Sequence, residues 1–280
     1  MIKLSTPNYM KKIKSYLSIL TCSLILYTSL AQECKMPTNL NDLLVQAVKN
    51  EKFNKENLSE INEILFELEA LEQSKHLKYC STYSENINHF FYSENEEKRN
   101  LSYHLIGASN DNYYNEELLN RIKSNENSAL KTWSAYALLS NKYSKASDDI
   151  FLLISSTIED LPIGILADGY VRFDPNAVKQ TSWKYIDSEN RDQQILAVQC
   201  LSYYEKDEKL QAKLLNFLET WDNESKGWII SSMSQQKMSN LKPILEKYVH
   251  IENLKNVIIY TLKNSPTKSD QKFAKQLENK

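Results

Sequence analysis

Apolar residues recur along this chain with the 3.6-residue period of amphipathic helices, and period-two alternation is almost absent. One clear stripe spans residues 210–221, where leucine, phenylalanine and tryptophan stand at i, i+4, i+7, i+8 and i+11. Comparable stripes, each of about three turns, follow one another from residue 118 to near the C-terminus. The pattern predicts an all-α chain.

Residues with helix-capping chemistry stand between these stripes. Asn57 with Glu60, and Ser93 with Glu96, have the spacing of a reciprocal capping box. Asp174 precedes a proline, which suits the first helical position because that position needs no amide hydrogen. Further predicted caps are Asn127, Asp160, Asn190, Asp207, Asn223, Asn240 and Ser269.

The predicted helix starts define a repeat of about 30 to 33 residues. First helices of successive pairs are predicted near Glu96, Asn127, Asp160, Asn190, Asn223 and Asn253. Second helices are predicted near Asn115, Ser147, Asp174, Asp207, Asn240 and Ser269. Because one pair of amphipathic helices cannot bury its apolar faces alone, this period indicates a stack of pairs that share a continuous core.

The segments 190–221 and 223–249 resemble HEAT repeats, with a broad apolar first helix, a short polar turn and a second helix with a narrower stripe. The resemblance covers residues 96–280, although the repeats are degenerate. It implies a right-handed α-α superhelix, or solenoid, of about six HEAT-like helical hairpins. Tetratricopeptide repeats have a similar period, but their glycine and alanine positions are not met by a chain with four glycines.

The N-terminus has the pattern of an export signal. Lys11, Lys12 and Lys14 form a basic region, and an uncharged apolar stretch from Leu17 to Leu30 ends at Ala31. A retained membrane anchor is the alternative, but the stretch is shorter than the roughly 20 residues that span a bilayer. We therefore expect a periplasmic or secreted protein with no stable membrane insertion after cleavage.

These patterns predict three segments: a signal peptide at 1–31, an N-terminal helical cap at 32–95 and the HEAT-like repeat array at 96–280. No linker rich in proline, glycine and serine separates cap from array, so we expect one continuous domain.

Charge and motifs narrow the functional classes. Without residues 1–31 the chain has 30 basic and 36 acidic residues, a formal charge of −6, which disfavours nucleic acid as a partner. The sequence contains no recognisable catalytic, nucleotide-binding or zinc-binding motif. We therefore predict no cofactor, no metal and no enzymatic activity.

Three cysteines follow the predicted signal peptide. Cys200 lies within an apolar helical pattern, where a free thiol behaves as a small hydrophobe. Cys34 and Cys80 are candidates for a disulfide that would fix the N-terminal segment.

The segment 167–174 is the candidate binding turn. Asp168, Tyr170, Arg172 and Asp174 combine two carboxylates, a guanidinium and an aromatic ring around a glycine, at a position that lies at the edge of a stack of hairpins. The alternative is structural, with Asp174 capping the next helix and Arg172 paired with an acid.

Function follows from the architecture by analogy alone. We expect an exported, non-catalytic solenoid that binds a protein partner or acts as a scaffold in the cell envelope, through its concave second-helix face. The alternatives are an immunity-type protein that neutralises an envelope-acting toxin and a HEAT-like enzyme with an unrecognised site.

Overall fold

The computed structural model describes residues 34–156 and 161–279, which are helical and contain no β-strand. The α-helices of the first third are α1 Thr38–Lys49, α2 Lys55–Ala70, α3 Ser81–Phe91 and α4 Glu96–Ser109. They are followed by α5 Asn115–Lys123, α6 Ser128–Ser140, α7 Ser147–Ser156, α8 Leu161–Phe173, α9 Pro175–Tyr185 and α10 Arg191–Ser202. The last five are α11 Glu208–Thr220, α12 Lys226–Gln235, α13 Lys242–Leu245, α14 Glu252–Asn264 and α15 Lys268–Glu278. Short 3₁₀ helices lie at Ser74–Tyr79, Asn112–Tyr114, Ser144–Ala146 and Glu246–Tyr248. The all-α prediction is confirmed for these residues.

Several predicted caps are confirmed by their hydrogen bonds. The side chains of Asn127, Asp174, Asn190 and Asp207 each accept at least one backbone N–H from the first turn of the helix that follows. These bonds satisfy amides that have no partner inside the helix.

Other predicted caps were wrong, each because a nearby residue takes the role. Asn54 caps α2 and Asn57 is its partner at the third helical position. Asn95, rather than Ser93, accepts the first amides of α4. Ser269 lies inside α15, which begins after Thr267 without a side-chain cap.

The helices fall into two compact units, residues up to Lys98 and residues from Arg99 onward. In the first unit α1 packs against α2 and α3, and the 3₁₀ helix Ser74–Tyr79 contacts both α2 and α3. Leu40, Leu44, Leu65 and Ile87 are fully buried in its core. That cap and array form one continuous domain remains a prediction.

In the second unit many helices pack against the next but one along the chain. The pairs α6 with α8, α10 with α12 and α12 with α14 pack together, as do α5 with α7, α7 with α9 and α13 with α15. Consecutive helices pack as well, for example α5 with α6 and α14 with α15. The core therefore runs between two sets of helices, and fully buried Leu138, Ile150, Leu214 and Ile230 lie in it.

Two predictions lie outside the described residues. The signal peptide at 1–31 and the cap at Asp160 fall in segments that the structure does not describe. Within residues 34–156 and 161–279, no helix combines the length and the apolar character that crossing a bilayer requires.

Candidate functional site

The predicted binding turn separates into exposed and structural residues. Asp168 and Arg172 are exposed on α8 and form an i,i+4 ion pair with a 2.9 Å Nη2–Oδ1 distance. A hydrogen bond with Tyr203 and the charge of Asp168 raise the pKa of Arg172. The structure thus links the predicted turn to Tyr203, a residue that the sequence analysis did not select.

Tyr170 and Asp174 have structural roles. Tyr170 is fully buried, and its hydroxyl lies 3.0 Å from the Ser147 hydroxyl. Burial raises the pKa of this phenol. Asp174 caps α9 by accepting the amides of Asn176 and Ala177 at 3.0 and 3.1 Å. Tyr170 therefore does not reach the surface, whereas Asp174 is half-buried and uses one carboxylate oxygen for the cap.

A cavity of about 560 Å³ lies where α10 and α12 end. We call it the turn cavity, and it is lined by residues 202–206 and 235–237. Its walls carry two phenol rings, two carboxamides, one carboxylate and two ammonium groups, from Tyr203, Tyr204, Gln235, Gln236, Glu205, Lys206 and Lys237. Its volume lies within the range of about 300–1,000 Å³ that is usual for ligand pockets.

Gln236 lies at the base of the turn cavity and fixes its position by hydrogen bonds. Its side chain is fully buried and donates to the carbonyls of Ser202 and Tyr204 at 3.3 and 3.4 Å. Its side-chain oxygen accepts the amide of Asp207 at 2.8 Å. Because one carboxamide bonds both ends of the turn from 202 to 207, the end of α12 fixes the turn after α10.

The two tyrosines in the cavity are held differently. The Tyr204 hydroxyl donates to the Val171 carbonyl at 2.8 Å, and Lys179 Nζ lies 4.8 Å from the centre of its ring. Burial raises the pKa of Tyr204. Tyr203 remains 55% exposed. It is therefore the aromatic side chain that this site offers to a partner.

Three exposed aromatic residues lie on or directly after alternate helices of the second unit. Tyr203 follows α10, Trp228 lies on α12 and Tyr260 lies on α14, and they are 55%, 48% and 61% exposed. These helices are in direct contact: Gln199 Nε2 donates to Ser232 Oγ at 3.1 Å, and Thr261 Oγ1 donates to the Ile230 carbonyl at 3.1 Å. The central parts of these helices, residues 193–204, 227–236 and 256–262, contain no Asp, Glu, Lys or Arg.

The opposite set of helices carries charges that pair with one another. Lys123 lies 3.2 Å from Asp149 and Lys213 lies 2.5 Å from Asp187. Lys184 pairs with Asp148, and Lys247 lies 2.5 Å from Glu219. These ion pairs connect α5 to α7, α7 to α9, the turn after α9 to α11, and α11 to the 3₁₀ helix after α13. The charges of this side are therefore largely engaged within the molecule.

Groups with reactive or metal-binding chemistry are sparse in the described ranges. No set of three or more His, Cys, Asp or Glu side chains there is arranged to hold a metal ion. The structure joins Cys34 to Cys80 in a disulfide and buries the thiol of Cys200. Burial raises the pKa of Cys200 to about 12, which keeps this thiol protonated and weakly nucleophilic.

Comparison with models of protein families, with curated proteins and with solved structures finds no match to this chain.

Sequence reasoning missed Tyr203, Trp228 and the two glutamines at the end of α12. Their helices have a broad apolar pattern, which does not show which aromatic residue stays exposed. The signal that was present is the absence of charge from the central parts of three alternate helices, α10, α12 and α14.

Proposed function

We propose that this chain is an exported, non-catalytic helical-repeat protein that binds a protein partner in the cell envelope. The alternate packing of its helices supports a HEAT-like solenoid of about six hairpins, in which α4, α6, α8, α10, α12 and α14 are first helices and α5, α7, α9, α11, α13 and α15 are second helices. The last helix supports the same architecture. Its apolar side is buried while Lys268, Lys272 and Lys275 face outward, as in a capping repeat.

The turn cavity carries the functional part of the proposal. It combines an exposed tyrosine, Tyr203, which lies beside Arg172 of the predicted binding turn, with a concave surface fixed by Gln236. Tyrosine and arginine are enriched among the residues that dominate the energy of protein interfaces. A partner side chain would enter the cavity and pack on Tyr203, with Lys206 and Lys237 at the rim.

The position of the contact differs from the sequence-based expectation. That expectation placed the partner on the second-helix face, where the charges are now seen to pair along the stack. The two tyrosines of the turn cavity are side chains that interface cores favour, and its exposed charged groups, Glu205, Lys206 and Lys237, suit the polar rim of an interface, so the turn cavity fits a protein contact better.

Site-specific photocrosslinking tests the binding site. A photoreactive amino acid replaces Lys206 at the cavity in the full chain, expressed in its own cells, and a matched chain carries it at Lys272 on the outer side of α15. We expect a distinct crosslinked protein from position 206 only. We also expect Tyr203→Ala to weaken purified binding by about tenfold or more. Identical crosslinks from both positions, or none from position 206, would contradict the proposal.

Export has a separate test. Mass spectrometry of the protein recovered from the envelope or the medium should give a chain that begins near Gln32. Recovery of the chain only from the cytoplasm, with residues 1–31 attached, would contradict export without bearing on the cavity.

A further inference from the structure

The outer side of α2, in the first unit, carries a row of glutamates. The buried leucines and isoleucine of this helix lie on one side, and Glu56, Glu60, Glu63 and Glu67 are exposed on the opposite side. We call these four residues the acidic stripe. Their carboxylates form no ion pair with any other residue that the structure describes.

The last helix of the second unit, α15, carries the opposite charge. Lys268, Lys272 and Lys275 are exposed on the side away from its buried residues, and we call them the basic stripe. The one acid between them, Asp270, is fully buried and accepts backbone amides at the start of α13. Lysines of α5, α9 and α11 pair with acids of neighbouring segments, but the basic stripe forms no ion pair within the described ranges.

Neither stripe stabilises the helix that carries it. Glu56 and Glu60 are like charges at i,i+4, as are Lys268 and Lys272, and this spacing makes them repel. The helix dipole favours acids in the first turn and bases in the last turn. It therefore accounts for part of each stripe, but not for Glu67 near the end of α2 or for Lys268 at the start of α15. Groups of opposite charge bound to the stripes would relieve the repulsion.

The two stripes have matching spacing. Positions 268, 272 and 275 are separated by four and three residues, as are positions 56, 60 and 63. Positions 60, 63 and 67 repeat this spacing in reverse order. Three lysines and three glutamates therefore extend over the same length of about 10 Å, whichever way the two helices run relative to each other.

We infer that the acidic stripe of one copy of this chain binds the basic stripe of a second copy. The contact uses two different surfaces, so each copy keeps one stripe free and the head-to-tail association can continue to further copies. An anionic lipid surface would fit the basic stripe alone and would leave the acidic stripe without a role. Exposed ion pairs are individually weak and are screened by salt, so the association requires high protein concentration and low ionic strength.

This inference does not depend on the proposed protein partner, because neither stripe lines the turn cavity. A photoreactive group at position 272 would join two copies of the chain, whereas the group at position 206 captures a different protein.

Charge reversal tests the pairing in the chain from residue 32 onward, which includes every residue that the structure describes. The first variant reverses the basic stripe with Lys268→Glu, Lys272→Glu and Lys275→Glu. The second reverses most of the acidic stripe with Glu60→Lys, Glu63→Lys and Glu67→Lys. Sedimentation velocity at about 50 mM and about 500 mM NaCl measures association. We expect the wild-type chain to associate at low salt and about tenfold or more weakly at high salt. Each variant alone should stay monomeric, and an equimolar mixture of the two should associate, because their charges are again complementary.

A matched control carries the same change in net charge outside both stripes, at the exposed residues Lys142, Lys206 and Lys237, each changed to Glu. It should associate like the wild-type chain, which also separates this result from the protein-binding test at the turn cavity. A wild-type chain that stays monomeric at low salt, equal loss of association in the control, or a mixture that does not associate overturns the inference. Binding of a monomeric wild-type chain to phosphatidylglycerol vesicles, lost only on reversal of the basic stripe, would assign that stripe to a lipid surface instead. Circular dichroism confirms that each variant is folded.

Discussion

Gly107 shows how a single residue sets the distance between two helices. A Cβ atom at this position on α4 would lie 2.6 Å from Tyr136 Cε1 and 3.0 Å from the Cα of Ala137 on α6. The tyrosine ring can move, but the backbone of α6 cannot do so without disturbing its own packing. Gly169 on α8 is different, because the nearest atom to its added Cβ is Leu139 Cδ1 at an ordinary 3.6 Å.

Alanine at these two glycines should therefore have opposite effects. We expect Gly107→Ala to lower the free energy of unfolding by about 1–2 kcal/mol, because overpacking outweighs the better helix propensity of alanine. Gly169→Ala should raise it by up to about 1 kcal/mol. Urea denaturation followed by circular dichroism measures both, and a stabilising Gly107→Ala would mean that α4 and α6 can separate freely.

Individual residues also decide which side chains line the candidate sites. The sequence alone did not predict those side chains. Asp168 and Arg172 were selected together as binding residues, and they form an i,i+4 ion pair on one helix, as in the structural alternative that paired Arg172 with an acid. Tyr170 was selected with them, yet two residues along the helix is almost the opposite side, where it is buried. Tyr203 meets Arg172 across 31 positions, a contact that no local pattern encodes.

At the scale of the element, the helix starts follow from local chemistry wherever a cap stands next to an apolar stripe. Asp207 is such a case, with its carboxylate accepting the amides of Lys209 and Leu210 at 2.9 and 3.1 Å. Ser269 looked equivalent in the sequence, but the neighbouring Asp270 decides that region. Asp270 is fully buried and accepts the amides of Leu241 and Lys242 at the start of α13. The hydrogen bonds of Asp270 to residues 241 and 242, which are distant in sequence, therefore matter more in this region than the local capping pattern at Ser269.

Alanine substitutions separate a true cap from an apparent one. Asp207→Ala should reduce the free energy of unfolding by about 1 kcal/mol, because two first-turn amides of α11 lose their acceptor. Ser269→Ala should change it by less than about 0.5 kcal/mol, as is usual for an exposed residue. Chemical denaturation of the two variants in parallel provides the comparison, and equal losses would restore Ser269 as the cap.

At the scale of the whole molecule, the period of about 30 to 33 residues predicted where almost every helix of the second unit begins. The prediction succeeds for a physical reason. In repeated amphipathic helices the apolar period marks the buried side, and the capping residues mark the turns. The period does not indicate which helix surfaces remain exposed to solvent. α4 is buried from Asn100 to its end at Ser109, whereas α12 and α14 expose aromatic rings, although all three have uncharged central segments.

The two compact units should also respond separately to loss of the disulfide. Cys34 and Cys80 close a loop of 46 residues that lies entirely within the first unit, so the bond restricts the unfolded state of that unit alone. Replacing both cysteines with serine should destabilise α1 and α3 by about 2–4 kcal/mol. Hydrogen–deuterium exchange resolves the effect by segment, and we expect faster exchange in residues 38–91 with unchanged protection from α10 to α14. Cys200→Ala is the control for the loss of a thiol outside that loop. Equal loss of protection across residues 99–279 would show that the chain unfolds as one cooperative body, because destabilisation of the first unit would then pass undiminished into the second.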